Sequence, residues 1–176
     1  MKVFYDHSNI FAEQILKVNA MKQKIIKASL DNTRKFMSQK NIAIAGVSRN
    51  AKKFGNAIFK ELKSKDYNLF PVHSSMESFQ GLACFKDIAS LPDEVSGLII
   101  CTKPENTLAL VKAASEKGIQ NIWLQQGAQD NEAIVFAREK GINIIHRQCA
   151  LMFAEPVTSI HNFHRSINKF FGVYPK

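Results

Sequence analysis

The sequence is short of cysteine and has no long apolar run. Its three cysteines form neither a CxxC pair nor an even-numbered disulfide framework. No stretch approaches the roughly 20 consecutive apolar residues that a membrane-spanning helix needs. The first carboxylate, Asp6, comes before any apolar stretch of the kind that a secretory signal contains. These absences predict a cytoplasmic protein without a membrane partner.

Basic side chains are abundant and unevenly placed. The chain has 176 residues, with 24 Lys and Arg against 15 Asp and Glu, so its formal net charge is +9. Residues 1–40 hold eight of the basic and three of the acidic side chains, which is over half of the excess. A basic balance attracts nucleic acid, anionic lipid or phosphorylated small molecules. Charge alone does not choose among these three classes of partner.

Short apolar runs recur along the chain from residue 41 onward. Each is rich in Ile, Val or Leu, and nearly continuous apolarity is typical of parallel strands covered on both faces. The segments between them space their apolar residues by three and four, which is typical of helices. Strands and helices that alternate in this way predict an α/β fold with a doubly wound, mainly parallel sheet. The expected strands are Asn41–Gly46, Tyr67–Val72, Gly97–Thr102, Asn121–Leu124 and Ile142–Ile145.

Both ends of the chain lie outside this alternation. Residues 8–38 predict one or two helices with lysines between their apolar residues, and residues 158–171 predict an amphipathic helix. We therefore divide the chain into a helical N-terminal extension, residues 1–38, and an α/β domain that includes the C-terminal helix, residues 39–176. A start at Met21 would shorten the extension.

The loop after the first strand is rich in small, polar and basic residues. It follows the strand at the carboxyl edge of the sheet, where doubly wound folds bind their ligands. Gly46 permits a sharp turn, and Gly55 stands at the start of a helix, whose free N–H groups and positive dipole end attract phosphate. The sequence therefore predicts a nucleotide-phosphate site, with an ordinary surface loop as the alternative. The predicted contact residues are Gly46, Val47, Ser48, Arg49, Lys52, Lys53, Phe54 and Gly55.

Two common nucleotide fingerprints do not fit this loop. In the dinucleotide pattern G-x-G-x-x-G the second glycine lets the pyrophosphate approach the backbone, and here that position is Ser48. NAD sites also place an acidic residue after the second strand, where this chain has His73. The P-loop pattern G-x-x-x-x-G-K-S/T is absent as well. The NAD and ATP interpretations are both weakened.

Several motifs in a fixed order resemble a known family. The segments that carry the resemblance are Asn41–Ser48, Phe70–His73, Gly81–Phe85, Leu91–Pro92, Cys101–Glu105, Ile122–Gly127 and Cys149. Over residues 31–155 the sequence resembles the stand-alone CoA-binding domain proteins, relatives of the Rossmann-like CoA domain in the succinyl-CoA synthetase alpha subunit. The resemblance implies a Rossmann-like sheet with strand order 3-2-1-4-5-6, in which Leu82–Phe85 forms the short third strand at the edge.

The same resemblance implies that the ligand is CoA or an acyl-CoA. The phosphates would lie on the Gly46–Gly55 loop, the ADP portion after the second strand, and the adenine side against the end of the fourth strand. The residues at the end of the fifth strand would close the crevice. The implied contacts after these strands are, in chain order, Val72, His73, Ile100, Cys101, Thr102, Leu124, Gln126 and Gly127. One departure matters. Many relatives have Asn-Pro-Lys after the second strand, whereas this chain has His73–Ser74–Ser75 and so lacks a phosphate-pairing lysine there.

The sequence offers no persuasive catalytic set. His161 and His164 stand three residues apart on one helix face, and together with His146 and Cys149 they are of the residue types that bind zinc. Packing is the favoured interpretation of these residues, and nothing in the pattern activates the Cys149 thiol. We therefore predict neither a catalytic residue nor a metal site.

A binding module is favoured over a complete enzyme. The synthetase relatives catalyse through a phosphohistidine on a further domain, for which the resemblance leaves no room before Lys176. The hypothesis is a CoA or acyl-CoA carrier, sensor or accessory subunit, with a homo-oligomer or an acyl-CoA enzyme as its assembly. Two alternatives stay open: an NAD(P)-binding oxidoreductase or redox sensor, and a nucleic-acid or scaffold protein that uses the basic N-terminal helices. For the latter we expect only weak, non-specific nucleic-acid binding.

Overall fold

A parallel sheet of five strands forms the centre of the protein, whose computed structural model describes residues 29–156. The elements in chain order are α1 (Leu30–Met37), β1 (Asn41–Ala45), α2 (Phe54–Lys63), β2 (Asn68–Val72), β3 (Ser78–Phe79), β4 (Leu82–Ala83), β5 (Gly97–Ile100), α3 (Thr107–Glu116), β6 (Asn121–Leu124), α4 (Asn131–Glu139) and β7 (Asn143–Ile145). Single 3-10 turns at Pro104–Asn106 and Ala150–Met152 precede α3 and follow β7.

The strand order is β2-β1-β5-β6-β7, and all four neighbouring pairs are parallel. After β1 the chain first adds β2 on one side and later adds β5 on the other side of β1. The loops that follow β1 and β5 therefore diverge at the carboxyl edge of the sheet, which is the topological switch point where open α/β sheets bind ligands. The predicted Rossmann-like, doubly wound fold is confirmed.

The edge strand expected at Leu82–Phe85 differs from a full sheet strand. Phe85 forms a single parallel bridge to Val72, while Leu82 and Ala83 pair antiparallel with Ser78–Phe79 in a separate hairpin. The hairpin turn consists of Gln80 and Gly81, with φ angles of 47° and 84°. Two consecutive positive φ angles define the tight turn that suits the twist of a two-residue hairpin. This turn folds the segment back on itself, so only Phe85 at its end pairs with β2.

Both faces of the sheet are buried by helices. Successive strand residues point to opposite faces, so β1 directs Ala43 and Ala45 into one hydrophobic core and Ile42 and Ile44 into the other. Helices α3 and α4 cover the first face, whereas α1, α2 and the segment after β7 cover the second. This arrangement explains why the strands read as continuous apolar runs.

Helix α1 is the described part of the predicted N-terminal extension. Its first turn is capped by Ser29, whose hydroxyl accepts a hydrogen bond from the Asn32 N–H at 3.1 Å. Its Phe36 ring is fully buried and contacts Trp123 edge-on, with ring centroids 5.3 Å apart. The other predicted helical segments lie outside the described residues, and the boundary between residues 38 and 39 stays a prediction. Within residues 29–156, no helix is both long and apolar enough to cross a membrane.

Candidate functional site

Gly46 directly follows β1 and stands in a position that only glycine fits. Its φ of +114° lies in a region that other residues rarely adopt. A Cβ at Gly46 would also lie 2.8–2.9 Å from the backbone carbonyl and Cβ of Cys101. The backbone of the site thus turns directly against the end of β5. The structure confirms the sharp turn that the sequence predicts here.

Gly55 is the second residue of α2 and packs on the turn at Gly46. A Cβ at Gly55 would stand 2.4 Å from the Gly46 carbonyl oxygen and 3.3 Å from the Cys101 Cβ. Close helix–strand packing of this kind is the task of the third glycine in a dinucleotide loop. Counted from Gly46, the third glycine of the pattern would fall at residue 51, which is Ala51 in this chain. Gly55 performs the packing instead, so the loop is four residues longer than the dinucleotide pattern.

Asn56 holds the longer loop in shape. Its Oδ1 accepts a hydrogen bond from the Ser48 N–H at 2.9 Å, and its Nδ2 donates to the carbonyls of Ser48 and Asn50 at 2.8 and 3.0 Å. The side chain is only 9% exposed. Asn56 was not predicted from the sequence, where its only local signal was an amide side chain directly after the glycine of a helix start. A buried amide with three partners makes the loop a rigid wall.

Arg49 and His73 join the loop to the segment after β2. The Arg49 Nη2 donates to the Ser75 carbonyl at 3.0 Å. The His73 Nδ1 accepts the N–H groups of Ser75 and Met76, both at 3.2 Å. This acceptor role places the proton of the neutral ring on Nε2. Both predicted side chains therefore shape the walls of the site.

A cavity of about 510 Å³ opens at the switch point. It lies at the carboxyl ends of β1, β2 and β5, and the first turns of α3 form one wall. Five of the predicted contact residues line it: Gly46, Val47, Val72, His73 and Thr102. The residues that the sequence analysis did not predict are Ala45, Ser74, Lys86, Asp87, Ile88, Asn106, Ala109, Leu110 and Ala113.

The next residues of the same loop line a second cavity, of about 640 Å³. Ser48 and Arg49 are its predicted members, and Lys60 from α2 adds a second cation. Phe79 and Met76 supply an apolar part of the lining. The Gly46–Asn56 loop thus forms walls of two cavities, with the Arg49 contact to Ser75 near their boundary.

The remaining predicted residues line neither of these cavities. Ile100 and Leu124 are fully buried in the hydrophobic core, and Cys101 packs against Gly46. Lys52, Lys53, Phe54, Gln126 and Gly127 are exposed. The start of α2 has no side-chain cap at Lys53, so its dipole end remains open to an anion. Contact of these residues with a ligand stays a prediction.

The Cys101 thiol is poorly suited to chemistry. Burial, together with the nearby Cys149, raises the pKa of the Cys101 thiol to about 12. At neutral pH the thiol is therefore protonated, whereas a nucleophile or metal ligand must be a thiolate. Among residues 29–156, no three His, Cys, Asp or Glu side chains are grouped as a metal site would require. His161 and His164 lie outside the described residues.

Lys86 and Asp87 are the charged residues of the first cavity that the sequence analysis missed. The backbone pairs with β2 just before them, since Phe85 N–H donates to the Pro71 carbonyl and His73 N–H donates to the Phe85 carbonyl, both at 2.9 Å. This pairing brings Lys86 beside the end of β2. The signal in the sequence was the short apolar segment ending at Phe85, whose partner strand was expected to be β2.

The fold and the cavity at its switch point define a Rossmann-like α/β domain with a ligand crevice. A model of the family described as the CoA binding domain matches residues 40–155, and the chain belongs to this family. The expected resemblance is therefore confirmed.

Three of the known proteins with sequence similarity to this chain are compared with it by identity and coverage. The ADP-forming acetate–CoA ligase II subunit alpha of Pyrococcus furiosus is 26% identical over 147 residues, which is 77% of this chain and 30% of that subunit. The chain thus spans under a third of that relative's length. A conserved hypothetical protein from Pyrococcus furiosus has 32% identity and a TM-score of 0.61, covering 62% of this chain and 95% of its own. A hypothetical protein from Pyrococcus horikoshii OT3 has 26% identity and a TM-score of 0.68, covering 72% and 90%.

Proposed function

We propose that the protein binds CoA or an acyl-CoA in the cavity of about 510 Å³ at the switch point. The single observation that carries this proposal is the position of the cavity. It lies between the ends of β1, β2 and β5 in a chain of the CoA binding domain family. Ligands of open α/β sheets bind at this point.

The lining suits the parts of an adenine nucleotide. Val72, Ile88 and Leu110 offer an apolar wall to a base, and small side chains at Ala109 and Ala113 leave room along α3. The turn at Gly46 and the uncapped start of α2 lie on the phosphate side. The proposal is therefore that the base and the phosphates contact different walls of the cavity.

The proposed role is that of a carrier, a sensor or an accessory subunit, without chemistry of its own. Cys101 packs against the loop, and its thiol is protonated at neutral pH, so it is a poor nucleophile. This supports a binding role. The similarity to a ligase subunit alpha supports a partner among acyl-CoA enzymes. A homo-oligomer is a further proposed assembly.

The alternative of an NAD(P)-binding protein has less support. A dinucleotide pyrophosphate approaches the backbone at the second glycine of its loop. In this chain Ser48 stands there, and its N–H already donates to Asn56 at 2.9 Å. The Ser48 hydroxyl accepts the Asn50 N–H at 3.1 Å, which also occupies that side of the residue.

Mass spectrometry of the ligand that co-purifies with the native protein tests the proposal. We expect the mass of CoA or of an acyl-CoA. Ala109→Leu narrows the cavity and should reduce the bound fraction, whereas Lys112→Leu on the same helix lies outside the lining and should not. A co-purified NAD(P), with no CoA compound retained even after incubation with CoA, would overturn the proposal.

A further inference from the structure

Among the residues that line the first cavity, Lys86 is the one with a positively charged side chain. Lys86 is exposed and, within residues 29–156, no carboxylate is ion-paired with it. The other charge in the lining is Asp87, whose Oδ1 accepts the Ser90 N–H at 2.8 Å. Lys86 is therefore the cation in this lining that is available to an anionic ligand.

The position of Lys86 indicates which part of a nucleotide it meets. The bridge between Val72 and Phe85 places Lys86 beside the end of β2, and His73 and Ser74 line the same wall. In doubly wound folds the side chain at the end of this strand contacts the ribose of the adenosine. A carboxylate there accepts free ribose hydroxyls, whereas a cation accommodates a phosphate on the ribose.

We propose that Lys86 pairs with a phosphate carried on the ribose of the bound adenine nucleotide. The cavity then prefers ribose-phosphorylated ligands, which are CoA over dephospho-CoA and NADP over NAD. The inference rests on the proposed function for the location of the ligand, and it adds a specificity that the cavity alone does not supply.

Calorimetric titration of the full chain tests this inference with two ligand pairs, CoA with dephospho-CoA and NADP with NAD. For the wild type we expect the phosphorylated member of at least the CoA pair to bind about tenfold more tightly, as for a charge-assisted contact of ordinary strength. Lys86→Gln should remove this preference without weakening dephospho-CoA binding. Lys86→Arg should keep it.

A control variant distinguishes a direct contact of Lys86 with the phosphate from the effect of positive charge anywhere at this edge of the sheet. Lys103 stands at the same edge of the sheet, is 79% exposed and pairs with Glu105 at 3.6 Å, but it lies outside the lining. Lys103→Gln should leave both preferences unchanged. Equal affinity of wild type and Lys86→Gln for CoA would overturn the role of Lys86 while leaving CoA binding intact. Failure of every CoA compound to bind would instead overturn the proposed function, and the NADP and NAD pair would then decide on Lys86 by itself.

Discussion

Gly55 packs so closely on Gly46 that a Cβ at Gly55 would stand 2.4 Å from the Gly46 carbonyl oxygen. Real Cβ atoms do not approach backbone oxygens to this distance, and neither partner is a flexible side chain. The start of α2 and the end of β1 are therefore fixed to each other by the absence of one methyl group. The direction in which the loop leaves the sheet depends on this contact.

Gly55→Ala should destabilise the fold, although alanine is the better helix former. The propensity gain is at most about 1 kcal/mol, whereas overpacking against backbone costs about 1–3 kcal/mol. We expect a lower free energy of unfolding in urea and weaker CoA binding. Gly97→Ala is the control, because a Cβ there meets its nearest neighbour at an ordinary 3.4 Å. If Gly55→Ala had the unfolding free energy and CoA affinity of the wild type, the start of α2 would be free to shift and make room for the added methyl group.

Asn56→Ala should loosen the loop more than the core. The side chain loses three hydrogen bonds, one accepted and two donated, and unsatisfied buried groups cost about 1–3 kcal/mol. We expect a lower free energy of unfolding, measured by urea denaturation. We expect a proportionally larger loss of CoA affinity, measured by calorimetry. The exposed Asn131 at the start of α4 provides the control variant Asn131→Ala. Equal CoA affinity in wild type and Asn56→Ala would show that the shape of the loop does not affect CoA binding.

The strands could be predicted from sequence because their signal is local. A strand buried on both faces, such as Asn121–Leu124, needs an unbroken apolar run, and the structure has that strand with the predicted bounds. The hairpin around Gln80 and Gly81 was missed, since strands of two residues leave no pattern to read. Lys86 was not predicted as a lining residue, although the resemblance implied that the segment ending at Phe85 lies beside β2. It reaches the cavity through that contact between distant segments, which residue spacing alone does not reveal.

Trp123 reports on the helix α1 contact, because it is the sole tryptophan of the chain. Its Nε1 donates to the Gln148 carbonyl at 3.1 Å, and the Phe36 ring lies against it. Phe36→Ala should cost about 3–5 kcal/mol and change the emission of the folded protein. The half-exposed Phe54 gives the control Phe54→Ala, with a change in unfolding free energy within about 0.5 kcal/mol. Similar losses of unfolding free energy in Phe36→Ala and Phe54→Ala would mean that the packing of α1 contributes little to stability.

The stability of the protein should fall at alkaline pH in a way that depends on Cys101. Burial raises the pKa of this thiol from 9.0 to about 12 in the folded chain. The unfolded chain therefore loses the proton first, and the free energy of unfolding decreases as pH rises from about 9 to about 12. Cys101→Ala should flatten this part of the profile in urea titrations. Parallel profiles for wild type and variant would contradict a buried, protonated thiol.

Calorimetric titration of the intact chain with CoA and with NADH shows whether the cavity at the switch point takes a CoA compound. We expect saturable, micromolar CoA binding that is weakened by Ala109→Leu and unaffected by Lys112→Leu. Micromolar binding of NADH with no heat from CoA would contradict it.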